Sequence, residues 1–556
     1  MIFLKTDYQN IKKMNKIKIY ILMSCAAFSL ISCQDQLDIK NPNLPTPQSA
    51  STESGIISLG LGGVYANGFR DLKYYDGVNG RFWAGAMGFH EIMADVVGME
   101  AANQYANQIG CPDAVILDNG TKVLNPSSPN QQIPFLRSVN INSNAGANPS
   151  YFEWAYMYSL NNSCNAVLDI VESVKFTGDA AVKKNVLKAW CYWWKGYAYS
   201  RIGSIYYAGL INNTTGATNN KYVAKEEIIK EANANLDKAA TILGTLTATA
   251  DYRAILGGLI PDFCQKGKGG ILAPDMWIRN INTMKARNIL VNTSTKLMTA
   301  AQWNSILDLA NNGIKSTDLI FTSRSGGAGD NDFMSASAGS VISKTISAKA
   351  GQNTYKLSER LVQEFKPEDK RFQNNFTLTA TWVGDAGRGN AFNTRYAIID
   401  GGKGMAGVVV YGTQSEGLYE LAIAGNYEEN ELMKAEASLY LSKQEDALKI
   451  IDGIRTLQGA GLAATAGNGL SLDAAKEELR RERRVTCAWR GLSFYDARRW
   501  GVLESGRTNA VVIDKAAVVN TKATINYNYL DYWDVPDNEL AYNKADASSA
   551  PVKNPK

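Results

Sequence analysis

The sequence predicts a mostly α fold: tetratricopeptide-like helix hairpins forming a right-handed superhelical scaffold, with long loop-rich insertions and a few short strands. Three observations predict it. Apolar residues recur at helical spacing in paired segments, short connections turn neighbouring helices antiparallel, and Gly-, Asn- and Thr-rich stretches separate the pairs. The 556 residues, 45% of them apolar, suffice for at least one large core and exclude a disordered, collagenous or disulfide-stapled chain.

The first hairpin runs from Tyr151 to Val174, with Trp154, Met157, Cys164, Val167 and Val171 in helical register, and returns from Ala180 to about Ile205 with Val186, Trp190, Trp193 and Tyr197 on one face. Lys175 to Asp179 is too short for anything but an antiparallel connection. Lys225 to Leu243 carries a stripe of Ile228, Ala232, Leu236, Ala239 and Leu243, and helices from Met284 to Leu297 and from Ala300 to Ile314 follow. A late pair spans Tyr427 to Leu441 and Gln444 to Leu457, where Ala435, Ala437 and Ala447 are small enough for close helix approach. Helix pairs therefore fall at about 151–315 and 426–500 of a single body, 51–556, and irregular insertions at about 103–148 and 319–417. Phe376–Thr379 and Val408–Tyr411 read as short β runs inside the second insertion. Loops of that length in a folded chain carry function or stay disordered, and their Trp382, Tyr and Asn content favours function.

The amino terminus sets the compartment. Lys12, Lys13, Lys16 and Lys18 precede a mostly apolar stretch, Ile19 to Ile31, which is too short to cross a hydrocarbon core that takes about 20 residues. Residues 1–32 therefore read as a signal peptide, with Met14 the better start than Met1. Its end, Leu30-Ile31-Ser32-Cys33, resembles the lipobox of bacterial lipoproteins, in which Cys33 is acylated and becomes the new terminus. Residues 33–50, rich in Pro and Asn, read as a tether, and lipid is the one membrane attachment the sequence offers.

Charge and motif inspection narrow the function. The net charge is +5, of which the signal segment holds +4, so the remainder is nearly neutral and lacks a nucleic-acid footprint. The single histidine, His90, opens His90-Glu91-Ile92-Met93-Ala94, where a zinc protease needs a second histidine in place of Ala94. No nucleophile elbow accompanies it, and the Gly-rich runs 384–389 and 401–404 form no phosphate loop. We expect no catalytic residues, no metal and no cofactor. Cys111, Cys164, Cys191, Cys264 and Cys487 are expected as buried free thiols, although Cys164 and Cys191 lie on helices that bring them within reach of each other. The Arg480–Arg484 run, with Glu477 one turn before Arg481, reads as salt-bridged packing, and Arg498, Arg499 and Trp500 as structural pins.

Several segments resemble the SusD/RagB family. Asn426 to Ala437 is similar to its E-x-x-L-M-x-A-E-A segment, and Ala447 through Arg455 to the following A-x-x-x-I-N-x-x-R. Leu479 to Arg484, Trp489-Arg490-Gly491 and Phe494 to Gly501 resemble the family's Arg-rich block, Trp533 to Leu540 its closing P-I-P-x-x-E-I, and Asp369-Lys370-Arg371 an internal D-x-R. Thr486 and Trp489 depart from the family pattern, which places the chain in a divergent branch. The resemblance implies a lipid-anchored protein exposed on the outer membrane. It would cap a SusC-like TonB-dependent barrel and capture oligosaccharide for import, with a peptide ligand as the alternative and a lipoprotein hydrolase or inert surface scaffold as readings from other classes. Sugars are commonly held by aromatic faces together with Asn, Asp and Arg side chains. The loop residues that fit are Tyr74, Tyr75, Arg81, Trp83, Trp277 and Trp382.

Overall fold

Residues 50–62, 87–99, 105–126, 131–216, 219–324, 355–382, 384, 393–413, 415 and 418–556 are described by the computed structural model. The signal segment, Cys33 and nearly all of the tether lie outside them. Helix α1 (Glu53–Gly60) opens on Thr52, whose hydroxyl accepts the Gly55 N–H, and α2 (Met87–Met93) carries His90. There follow β1 (Val97–Met99), α3 (Ala106–Ile109), β2 (Ala114–Ile116), β3 (Lys122–Leu124) and α4 (Gln132–Val139).

The long hairpin is α5 (Pro149–Ile170) and α6 (Ala180–Ile205). Pro149 occupies the first turn, where its missing N–H costs nothing, and the Asp179 carboxylate accepts the Ala181 and Val182 N–H groups, both at 3.1 Å. Strands β4 (Ala208–Gly209) and β5 (Val223–Ala224) lead into α7 (Lys225–Leu243). The α6–α7 contact depends on two glycines. A Cβ on Gly196 would lie 2.6 Å from the Leu236 side chain, and one on Gly203 2.9 Å from Ile229 and 3.0 Å from the Lys225 carbonyl. Next come α8 (Ala250–Leu259), α9 (Pro274–Val291) and α10 (Ala300–Asn311), the last closed by a capping box between Thr299 and Gln302. Helix α9 begins at Pro274 rather than Met284 and ends at Val291 rather than Leu297, because proline at the first turn and Asp275 beside it form a start signal.

The second half contains β6 (Thr322–Arg324), β7 (Tyr355–Leu357), α11 (Glu359–Val362), α12 (Lys370–Asn375), β8 (Phe376–Trp382), β9 (Thr394–Ile398) and β10 (Glu420–Ala422). Helices α13 (Tyr427–Tyr440) and α14 (Gln444–Leu457) form the late hairpin, joined through Ser442 in the left-handed region. They are followed by α15 (Leu472–Thr486), α16 (Ser493–Arg499), α17 (Val502–Ser505), β11 (Arg507–Ile513) and β12 (Val519–Asn526). The molecule is mostly α, as expected, with small antiparallel pairs β1–β7, β6–β10 and β8–β9.

Two expectations about the insertions need correction. The 103–148 stretch is partly ordered: β2 and β3 join β12 and β11 in a four-stranded antiparallel sheet, with Val115 opposite Ile525. Three-residue strands whose partner lies some four hundred residues away leave no local signature. Val408–Tyr411 forms no strand. The Asn375 side chain satisfies its backbone instead, donating to the Val409 carbonyl at 2.8 Å and accepting the Tyr411 N–H at 2.6 Å.

Helix α15 is bound by buried ion pairs, as its arginine run predicts. Glu482 accepts from Arg371 at 2.5 Å and Arg455 at 2.8 Å, and Arg483 meets Asp496 at 2.9 Å. Asp496 also holds Arg499, which makes a bidentate pair with Glu436 at 2.5 and 2.7 Å. Arg498 donates to the Ser204 carbonyl at 2.6 Å and the Val291 carbonyl at 2.7 Å, tying together the C-terminal ends of α6 and α9, where unpaired carbonyls favour a cation. The five named cysteines are buried free thiols, with Cys164 and Cys191 hydrogen-bonded across α5 and α6. Among the described residues no helix is long and apolar enough to cross a membrane.

Candidate ligand-binding site

Of the residues proposed from sequence to touch ligand, Tyr74, Tyr75, Arg81 and Trp83 lie outside the described residues, as does the lipidation residue Cys33. Trp382 is on a strand rather than a loop: it ends β8 opposite Thr394. Trp277 is corrected: it sits on α9 rather than a loop, is 0% exposed, and packs edge-on against Trp190, Trp193 and Phe321 at 5.4–6.3 Å between ring centres. A ring closed in by three others has no face to offer a sugar. Its neighbour Arg279 is also occupied, making a bidentate pair with Asp318 at 2.7 Å through each contact.

His90 is a structural residue. Its Nε2 lies 3.0 Å from Glu153 Oε2 and 3.0 Å from Arg201 Nη2, while Arg201 Nε donates to Glu153 Oε1 at 2.6 Å. Burial and the Arg201 charge lower its pKa, so the imidazole is neutral and joins α2 to α5 and α6.

A cavity of about 290 Å³ lies where the second insertion meets the late hairpin. Strands β6 and β10 contribute Thr322 and Ala422, the start of α13 contributes Asn426, Tyr427 and Glu428, and Arg490 closes one side. Local structure explains how Arg490 is presented. Trp489 adopts a left-handed conformation with φ of 57°, and the buried Glu91 carboxylate accepts the Trp489 N–H at 2.9 Å, the Gly491 N–H at 2.8 Å and the Ser493 hydroxyl at 3.2 Å. Burial pushes the Glu91 pKa up to about 7, against the lowering effect of those three donors.

The charges in the cavity divide into committed and uncommitted groups. Asp318 accepts from Arg279 and from the Lys315 N–H at 2.8 Å. Glu420 pairs with Arg324 at 3.0 Å and accepts the Lys268 and Gly269 N–H groups at 2.8 and 2.9 Å. Arg490 and Glu428 have no hydrogen-bond partner among the described residues. The Arg490 pKa is lowered by burial but raised more by Tyr419 and Glu428, so it stays charged. Glu428 is thus the cavity carboxylate without a hydrogen-bond partner among the described residues. A guanidinium, a carboxylate, a tyrosine and an asparagine around a small polar cavity are suited to hydrogen-bonding hydroxyl, carboxyl or amino groups. Sequence inspection placed Arg490 within a family block without a role; its signal was a second arginine environment beyond the packed α15 run, immediately before a glycine turn.

The fold and this site define a mostly helical scaffold with a small polar cavity. The sequence model of the SusD family matches residues 429–549, which run from within α13 past the end of β12. The fold is also that of a SusD-like carbohydrate-binding protein from Bacteroides vulgatus, with 14% identity, TM-score 0.52, and coverage of 90% of this chain and 98% of that one. A putative sugar-binding protein from Bacteroides vulgatus gives 15% identity and TM-score 0.53 over 90% of this chain and 97% of that one. A SusD superfamily protein from Parabacteroides distasonis gives 13% and 0.54 over 88% and 97%. No curated protein is significantly similar in sequence. The chain is SusD-like: it carries the SusD family segment in its C-terminal part and the SusD-like fold over most of its length.

Proposed function

We propose that this chain is a cell-surface binding lipoprotein that captures oligosaccharide and delivers it to a SusC-like TonB-dependent outer-membrane barrel, without chemical turnover. The observation that carries the proposal is the coincidence of a SusD-like fold with the SusD family segment at residues 429–549. The lipobox-like Leu30 to Cys33 supports anchoring, with residues 33–50 as tether and acyl chains as the attachment. In this reading the cavity at Arg490 and Glu428 holds one part of the ligand, and the aromatics Tyr74, Tyr75, Trp83 and Trp382, with Arg81, hold others. The opposite charges of Arg490 and Glu428 also match the termini of a peptide, which keeps peptide as the second ligand class.

Two experiments test this. Palmitate labelling of expressed protein is expected to vanish in Cys33→Ala; label that persists overturns the anchor. Co-purification from outer membranes is expected to recover a large barrel protein, and recovery of the lipoprotein alone under mild detergent contradicts delivery to a transporter.

A further inference from the structure

A second cavity, of about 460 Å³, lies between α15, the α16–α17 corner and the start of β11. Its size is within the range of small-molecule sites. Four guanidinium groups line it, from Arg480, Arg481, Arg484 and Arg507, against two carboxylates, Glu364 and Glu477. Both carboxylates are already used. Glu364 accepts from Arg480 at 3.0 and 2.6 Å and from Arg507 at 2.6 Å, and Glu477 accepts from Arg480 at 2.7 and 2.8 Å and from Arg481 at 3.0 Å.

Arg484 makes no hydrogen bond to a carboxylate among the described residues. It is 6% exposed, and it donates only to the Ala94 carbonyl at 2.7 Å and the Asp95 carbonyl at 3.2 Å. Its Nε is buried and has no hydrogen-bond partner among the described residues. The Asp95 carboxylate is taken by Arg360 at 2.7 and 2.6 Å, Tyr527 at 2.7 Å and Ser358 at 2.8 Å. Burial and the neighbouring Arg507 charge work against the Arg484 cation and outweigh the attraction of the Glu364 and Asp95 carboxylates, lowering its pKa. A buried cation with no hydrogen-bonded counter-charge is unfavourable, and a cavity wall holding one beside a second cation favours an anion. Guanidinium geometry selects planar or tetrahedral oxyanions through paired N–H···O bonds.

We infer that this cavity binds the carboxylate or sulfate group of an acidic saccharide, with Arg484 and Arg507 as its anion-holding residues. The inference rests on the carbohydrate-binding reading above for the saccharide, while the oxyanion site stands on the charges alone.

The test is thermal unfolding and calorimetric titration of the full chain with glucuronate, galacturonate, glucose 6-sulfate, glucose and inorganic sulfate at constant ionic strength. Saturable binding of at least one sugar acid or sugar sulfate, with a stabilising shift of about 1–2 °C at tenfold excess over its Kd and none with glucose, is the expected result. Arg507→Gln is expected to weaken that binding at least tenfold. Arg484→Met is expected to abolish it while leaving the ligand-free protein as stable as the parent or more so; a purely structural arginine would give a destabilised variant. Binding of inorganic sulfate without any of the charged sugars overturns the saccharide assignment, and absence of saturable binding by every anion overturns the site. Retention of neutral polysaccharide with no anion binding discards this subsite and leaves the wider reading standing, whereas anion binding with no polysaccharide retained does the reverse.

Discussion

The two halves of the molecule are held together differently. In the α5–α9 half the largest buried cluster is aromatic: Trp190, Trp193, Trp194 and Trp277 are fully buried and meet edge-on, with Phe321 4.2 Å from Trp193 between ring centres. In the α12–α16 half a network of charged side chains is buried instead, and Arg371, Arg483, Arg499, Glu436, Glu482 and Asp496 are nearly as buried as those tryptophans. Apolar packing tolerates any pH and rejects polar ligands. An ion-paired core is sensitive to protonation, and any imbalance in it leaves a charge that a ligand can meet. Both cavities with uncommitted guanidinium groups, at Arg490 and at Arg484, lie in the charged half.

The largest expected effect separates these two kinds of core. Arg499→Met leaves both Glu436 and Asp496 short of their partner and is expected to destabilise by about 3–5 kcal/mol at neutral pH. Trp193→Ala is expected to cost a similar ~3–5 kcal/mol through a cavity. Urea unfolding at two pH values distinguishes them: the Arg499 loss shrinks in acid as the stranded carboxylates protonate, and the Trp193 loss does not change. Equal pH dependence would break the comparison.

Two buried glutamates sharpen it, with opposite signs. Arg507 and Arg480 outweigh the burial that would raise the Glu364 pKa, holding it down at about 2. Its contribution, roughly 3 kcal/mol, is present above its unfolded value of 4.5 and lost as pH falls through about 2. Glu91 is raised to about 7, so its contribution, also roughly 3 kcal/mol, is full below 4.5 and lost as pH rises through about 7. Glu364→Gln is expected to flatten the acid limb of a stability–pH profile and Glu91→Gln the neutral limb, read by denaturant midpoints. In hydrogen exchange at pH 3, amides of α15 are expected to lose protection before those of α6.

Smaller effects probe single contacts. Gly196→Ala pushes a methyl group to within 2.6 Å of Leu236 and is expected to cost about 1–3 kcal/mol, measured by thermal unfolding. Arg490→Ala removes a group with no partner among the described residues. It is expected to change the melting temperature by less than about 1 °C while weakening ligand binding at least tenfold, and a stability loss comparable to that of Arg499→Met would assign Arg490 to the ionic core.

Much of the helical half was legible because its signals are local. The α6 and α7 boundaries agree with the readings of 180–205 and 225–243, since Asp179 caps one and a single apolar stripe runs through the other. The late hairpin was legible for the same reason, through its alanines and its short connection. Trp277 was misplaced because Pro274 was not read as a helix start, so a core ring was assigned to a loop. The sheet that joins β2 to β12 was invisible, since two strands of two or three paired residues acquire meaning only from each other. The sites were harder still. Whether Arg484 or Arg490 has a counter-charge depends on Asp95, Glu364 and Glu428, which come from distant segments, and no spacing in the sequence records which arginine is left over.

The most direct test of the account is native affinity electrophoresis of the full chain through gels containing neutral and acidic polysaccharides, combined with a reducing-end assay on the same mixtures. Retardation by at least one polysaccharide without release of reducing ends is the predicted result. Release of new reducing ends, or migration unchanged in every gel, would contradict it.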